Sequence, residues 1–152
     1  MKSSTEISII TVGKLKEDYL RKAQEIFLKD IGSRIRIRVS EVKDEKTTEN
    51  ASEKELNRVK NSEGIGIMKH LDLKGKIVAM DISGKKTTSD TLKRMLTEDW
   101  ADETKIQFII GGSLGISDDV LSLAHKRVSF GQMTYPHQLF RVMLLEELTK
   151  SI

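Results

Sequence analysis

Apolar and polar positions come in blocks along the chain, and the period of the blocks changes from one to the next. Ile7 to Val12 is a short β-branched run closed by Gly13, which predicts a buried strand followed by a turn. From Lys14 to Asp30, Leu15, Tyr19, Ala23, Ile26 and Phe27 recur at helical spacing, with Lys16, Lys22 and Lys29 on the wetter side. This predicts a helix packed back onto the first strand. Arg34 to Val42 alternates, Ile35, Ile37 and Val39 against Arg34, Arg36 and Arg38, as a half-buried strand does. After a polar loop over Lys43 to Asn50, Ser52 and Glu55 form a capping-box pattern. Leu56, Val59, Ile67 and Met68 carry a weak helical stripe past an interruption at Gly64 and Gly66.

The second half repeats the alternation. Lys76 to Ile82 predicts a third strand, with a turn at Ser83-Gly84-Lys85. Thr88 or Ser89 caps a helix that places Leu92, Met95, Leu96 and Trp100 on one side. Ile106 to Ile110 is a fourth strand leading into Gly111-Gly112-Ser113-Leu114-Gly115, after which Ser117 caps a helix with Val120, Leu121 and Ala124. Val128 to Phe130 is a short fifth strand, and a last helix starts at His137 with Leu139, Val142, Met143 and Leu145. Strands alternating with helices predict an α/β fold, a mostly parallel sheet flanked by helices on both faces.

Composition narrows the chemistry. The 152 residues fit one domain, 38% hydrophobic and 32% charged, so a folded globular chain is expected over 1–152. No cysteine is present, which removes disulfides, thiolate metal sites and cysteine nucleophiles. His70 and His125 have no acidic neighbours at ligand spacing, so no metal site is expected. No apolar stretch reaches membrane-spanning length and the N-terminus lacks a signal-peptide pattern, giving a cytoplasmic expectation without a membrane partner. A net charge of +3 permits an anionic partner without requiring one. The arginines of the second strand suit RNA phosphates, and equally suit the protection of an edge strand.

Two segments carry candidate chemistry. The Gly111 to Gly115 turn lets backbone approach a ligand at the start of a helix, but it is neither a dinucleotide fingerprint nor a Walker loop, and a purely structural turn stays open. Phe130 to His137 lies just past a short strand. Ligands of open parallel sheets bind beyond the carboxyl ends of strands, so the two segments are expected to share one pocket. Pro136 also suits a helix start, and His137 a cap. Arg141, four residues after His137, shares its helical face and is either a convergent functional group or a partner of Glu146 or Glu147.

Taken in order, Val12-Gly13-Lys14-Leu15-Lys16, Glu41-Val42, Met80-Asp81-Ile82-Ser83-Gly84-Lys85, Ile110 to Gly115, Ser129 to Gln138 and Arg141-Val142 resemble the ribosomal RNA large-subunit methyltransferase H family. That family is a minimal branch of the trefoil-knotted SPOUT methyltransferases, and the resemblance covers roughly residues 5 to 148. It implies a deep C-terminal trefoil knot, an exception to the rule against threading. It implies a homodimer and an S-adenosylmethionine site supplied by Met80, Gly111, Phe130, Gly131, Gln132, Met133, Thr134 and Tyr135. It also implies methyl transfer to N3 of a pseudouridine in 23S ribosomal RNA, with the ribosome or its RNA as partner. Arg141 would stabilise charge at the base, and His137 would position it or handle its proton.

The chain departs from the family after Glu147. Family members continue with a tyrosine-arginine pair and a longer tail ending in a tyrosine-histidine-basic signature, whereas Leu148 to Ile152 follow here. The alternative expectation is therefore a catalytically impaired homologue that binds S-adenosylmethionine or RNA.

Overall fold

A computed structural model describes residues 1–152. The elements run β1 (Glu6–Val12), α1 (Asp18–Gly32), β2 (Arg36–Val42), α2 (Glu53–Met68), β3 (Lys76–Lys86) and α3 (Ser89–Arg94). A π-helical turn at Met95–Asp99 continues α3. It is followed by β4 (Lys105–Ile110), α4 (Asp118–Leu121), β5 (Lys126–Ser129) and α5 (His137–Ser151). The five strands form one sheet in the order β2-β1-β4-β3-β5, and every pair is parallel.

The apolar runs explain why the sheet is covered twice. In β1, Ile7 and Ile9 face one side and Ile10 and Val12 the other, and all four are buried. The first side packs Phe108 and Val78 against Ile31 of α1, Leu92 of α3, and Leu144 and Leu148 of α5. The second packs Ala79 and Ile109 against Ile67 of α2 and Val120 of α4. Truncating Phe108, which is fully buried at the sheet centre, would cost about 3–5 kcal/mol through lost transfer energy and a cavity.

Local signals place three helix starts where the sequence puts them, whereas α1 starts at Asp18 and not at Lys14. The hydroxyls of Ser52, Thr88 and Ser117 accept from the amides of Glu55, Thr91 and Val120, satisfying donors that a helix leaves open. Three other expectations need correction. The glycines of α2 do not interrupt it: a Cβ at Gly64 would lie 2.3 Å from Ser117 Oγ, and one at Gly66 2.6 Å from Val42 Cγ1. They are glycine because the helix lies hard against its neighbours. Ser83-Gly84-Lys85 does not end β3, which resumes pairing with β5 at Lys85 and Lys86 after a register shift beyond Met80. The α1 stripe also does not all face inward: Tyr19 and Ile26 are 68% and 67% exposed, while Leu20 and Ile31 are buried.

Candidate functional site

Because β3 lies between β4 and β5, the carboxyl ends of these three strands are neighbours. The segments leaving them enclose a cavity of about 620 Å³. Met80, Asp81 and Ile82 come from β3, Ile110 to Ser113 with Gly115 and Ile116 from the turn after β4, and Val128 to His137, apart from Gln132, from β5 and its loop. Phe140 closes the wall, its ring centroid 4.9 Å from that of Phe130 and 6.2 Å from that of Tyr135. This is an apolar pocket with a backbone-rich polar side, the composition expected of a small-molecule site.

The glycines there answer to geometry. A Cβ at Gly111 would lie 2.7 Å from the carbonyl carbon of Gly115 and 2.8 Å from its oxygen, so any side chain forces the turn open. Gly115 has φ 86° and donates its amide to the Gly112 carbonyl at 3.0 Å, while Gly131 has φ 119°. Both occupy the left-handed region that favours glycine. The Ser129 hydroxyl folds the next loop by accepting from the Gly131 amide at 3.0 Å and donating to the Gly131 carbonyl at 2.9 Å.

The start of α5 joins this cavity to the turn after β1. His137 lines the cavity, and its Nε2 lies 3.6 Å from the position a Cβ of Gly13 would take. Gln138 accepts from the Lys16 amide at 2.8 Å. One turn on, Arg141 is 1% exposed; its guanidinium donates to the Gly13 carbonyl at 2.9 Å, to Glu41 Oε2 at 2.7 Å and to Gln24 Oε1 at 3.4 Å. The shared face of His137 and Arg141 therefore converges on Gly13, whose φ of 96° again requires glycine.

Met80, Gly111, Phe130, Gly131, Met133, Thr134, Tyr135 and His137 all line the one cavity. Two candidates lie off it. Gln132 is exposed and is not part of the lining. Arg141 does not line the cavity: its two terminal nitrogens meet Glu41, Gln24 and the Gly13 carbonyl while its buried Nε has no partner, and neither Glu146 nor Glu147 pairs with it.

Glu63 of α2 adjoins the site. It is buried beneath the glycine turn, its Oε1 lying 3.3 Å from where a Cβ of Gly112 would be, and it accepts from the Glu45 amide through Oε2 at 3.2 Å. Oε1 meets no hydrogen-bonding partner in the folded geometry. Burial first, then the proximity of the Asp44 and Glu45 carboxylates, pushes its pKa up to about 7, against the lowering effect of the Glu45 amide. Its only sequence signal is an acidic residue beside a helix glycine, which is uninformative without the fold.

A family model described as "Predicted SPOUT methyltransferase" matches residues 5–152. The chain belongs to the SPOUT methyltransferase family. SPOUT membership makes it a methyltransferase that uses a methyl-donor cofactor, and it carries the trefoil knot with it. The chain is 44% identical over 146 residues to the ribosomal RNA large subunit methyltransferase H of Clostridium botulinum strain Langeland, covering 95% of this chain and 92% of that protein. It is 47% identical over 143 residues to the protein of the same name from Clostridium beijerinckii, covering 93% and 90%. In SPOUT terms, α5 is the segment that returns after β5 to pack on α1 and α3, and the cavity lies where it returns.

Proposed function

We propose that this SPOUT protein transfers a methyl group from S-adenosylmethionine to large-subunit ribosomal RNA, with N3 of a pseudouridine as acceptor. The observation that carries the reading is the single cavity walled by the ends of β3, β4 and β5, and relatives named as ribosomal RNA methyltransferases support the substrate class. The residues present fit the cofactor. A cavity of about 620 Å³ suits a nucleoside-sized ligand, Met80, Ile110, Val128 and Phe130 supply apolar walls, and Gly111, Gly112 and Gly115 put bare backbone on the wall beside Ser113.

When bound, S-adenosylmethionine supplies a methyl group on a positively charged sulfur. The chain's tasks are to exclude water, hold the acceptor nitrogen in line with that methyl, and take the proton the nitrogen carries. Phe130, Tyr135 and Phe140 perform the first. His137, at the rim on the first turn of α5, is the one imidazole on the lining and takes the proton. Arg141 is a positioning residue in this reading: by holding the Gly13 carbonyl and Glu41 it fixes the helix start that aims His137.

The outward stripe of α1 supports a homodimer. Tyr19 and Ile26 lie seven residues apart on one helical face, and α1 packs against α5, which exposes Leu139. Together they leave apolar surface that a second copy would cover. No helix is long and apolar enough to cross a membrane, which agrees with a proposed cytoplasmic setting at the ribosome.

Calorimetry with S-adenosylmethionine, followed by transfer of a labelled methyl to ribosomes from a strain lacking this modification, tests the proposal. Saturable binding and label at a pseudouridine are expected. Binding without label on any ribosomal RNA would instead select the binding-only alternative.

A further inference from the structure

We propose that the β3–β5 edge of the sheet, and not the arginine-lined β2 edge, is where the RNA backbone docks, beside the cavity that receives the base. This rests on the RNA methyltransferase reading and names the surface that serves it. The two edges differ in what their cations do. On the β2 side, Arg38 is paired with Glu6, and Arg34 with Asp30 and the carbonyls of Thr149 and Ile152, which leaves only Arg36. On the β5 side, Lys85, Lys86, Lys126 and Arg127 are all exposed and none enters an ion pair.

Register brings these four to one end of the edge, two on each face of the sheet, so that they flank the edge strand from both sides. Lys85 pairs with Val128 and Lys86 with Ser129, directly beyond Lys126 and Arg127 on the neighbouring strand. At about 3.3 Å per residue, the positions from 126 to 129 span only about 10 Å. The extra residues of β3 make this possible: Asp81 to Gly84 loop out, and the strand returns to pairing with two lysines. Gly84 permits the return, because a Cβ there would sit 2.6 Å from the Arg127 carbonyl carbon. Asp81 is the nearby acid, and its carboxylate is turned to the Ser83 amide at 3.2 Å.

The same loop borders the cavity. Asp81, Ile82, Val128 and Ser129 line it, and Ile82 and Met133 stand 54% and 72% exposed at its mouth. Cations that hold phosphates beside apolar groups that receive an unstacked base are the arrangement used for single-stranded RNA loops. Phosphate contacts on the edge would set register, and the cavity would take one base.

The test compares Lys85→Ala/Lys86→Ala and Lys126→Ala/Arg127→Ala with Arg36→Ala, using full-length protein, S-adenosylmethionine and unmodified ribosomes and large subunits. Each double variant is expected to raise the KM for the RNA substrate roughly 10-fold at moderate salt and to flatten its log–log salt dependence by about 1.4 for two lost phosphate contacts. S-adenosylmethionine affinity by calorimetry should stay unchanged, and Arg36→Ala should move KM less than about twofold. Unchanged KM and salt slope in a folded double variant overturn the surface, as does an equal effect of Arg36→Ala. A wild-type protein that binds cofactor and labels no ribosomal RNA overturns the methyltransferase reading itself, and this surface with it. The two doubles lie on different strands, so a folding defect in one leaves the other to decide.

Discussion

The carboxyl end of the sheet is built in two ways. Beyond β1 and β2, polar groups of the chain are tied to one another: Arg141 joins Gly13 to Glu41, with its Nε left unpartnered, and Gln138 holds the Lys16 amide. Beyond β3, β4 and β5, the same end of the same sheet stays open as a cavity with glycine turns on its wall. The first half is a latch and the second a receptor, and α5 begins between them with His137 touching both. The contrast teaches that a buried charged residue near a pocket is not thereby a reagent. What matters is whether its partners come from the protein or are left to a ligand.

Breaking the latch should have the largest effect. Arg141→Ala removes one partner of an ion pair whose arginine is 1% and glutamate 38% exposed, so solvent recovers part of the loss. A destabilisation of about 3 kcal/mol is expected in denaturant titration. Arg141→Lys should restore only part of it, since one ammonium cannot reach Glu41 and the Gly13 carbonyl as a guanidinium fork does. Full stability with lost turnover would move Arg141 back into the pocket chemistry. On the receptor side, Gly111→Ala places a Cβ against the Gly115 backbone and should weaken S-adenosylmethionine binding about 100-fold, roughly 2.7 kcal/mol, by calorimetry. His137→Ala should lower kcat on ribosomes about 10²-fold while leaving cofactor affinity within a few-fold. An equal loss of affinity would make it a wall of the cavity only.

What the sequence discloses follows the range of the interactions. Ser52, Thr88 and Ser117 are legible as caps because a cap needs only residues within one turn. The four apolar positions Leu92, Met95, Leu96 and Trp100 are all buried, as one helical side should be, even though a π turn interrupts the helix. Gly64 and Gly66 read as a break because their reason, the side chains of Ser117 and Val42, lies on other elements. Tyr19 and Ile26 read as core because periodicity shows that a stripe exists, not what covers it. Ordered motifs bring the loops around the pocket within reach. The division of labour between His137 and Arg141 depends on Glu41, a hundred residues from Arg141 in the chain, and spacing alone does not reveal it.

Glu63 is the seam between the two halves and gives the smallest predicted effect. Its carboxyl lies under Gly112 of the receptor and accepts from Glu45, beyond β2 on the latch side. With a folded pKa of about 7 against 4.5 for the free side chain, the folded protein keeps a proton that the unfolded chain releases. Stability from this group is therefore fully present below about pH 4.5 and is lost as pH rises to about 7. Between about pH 5 and pH 8 the loss is roughly 2 kcal/mol. Glu63→Gln, neutral throughout, should match the parent near pH 5 and exceed it near pH 8 in denaturant midpoint, flattening the profile. If the seam also sets the glycine turn, cofactor affinity of the parent should fall over the same pH range while that of Glu63→Gln holds level. Parallel pH profiles for the two proteins would mean that Glu63 is ionised at no cost, and that the latch and the receptor are joined through α5 alone.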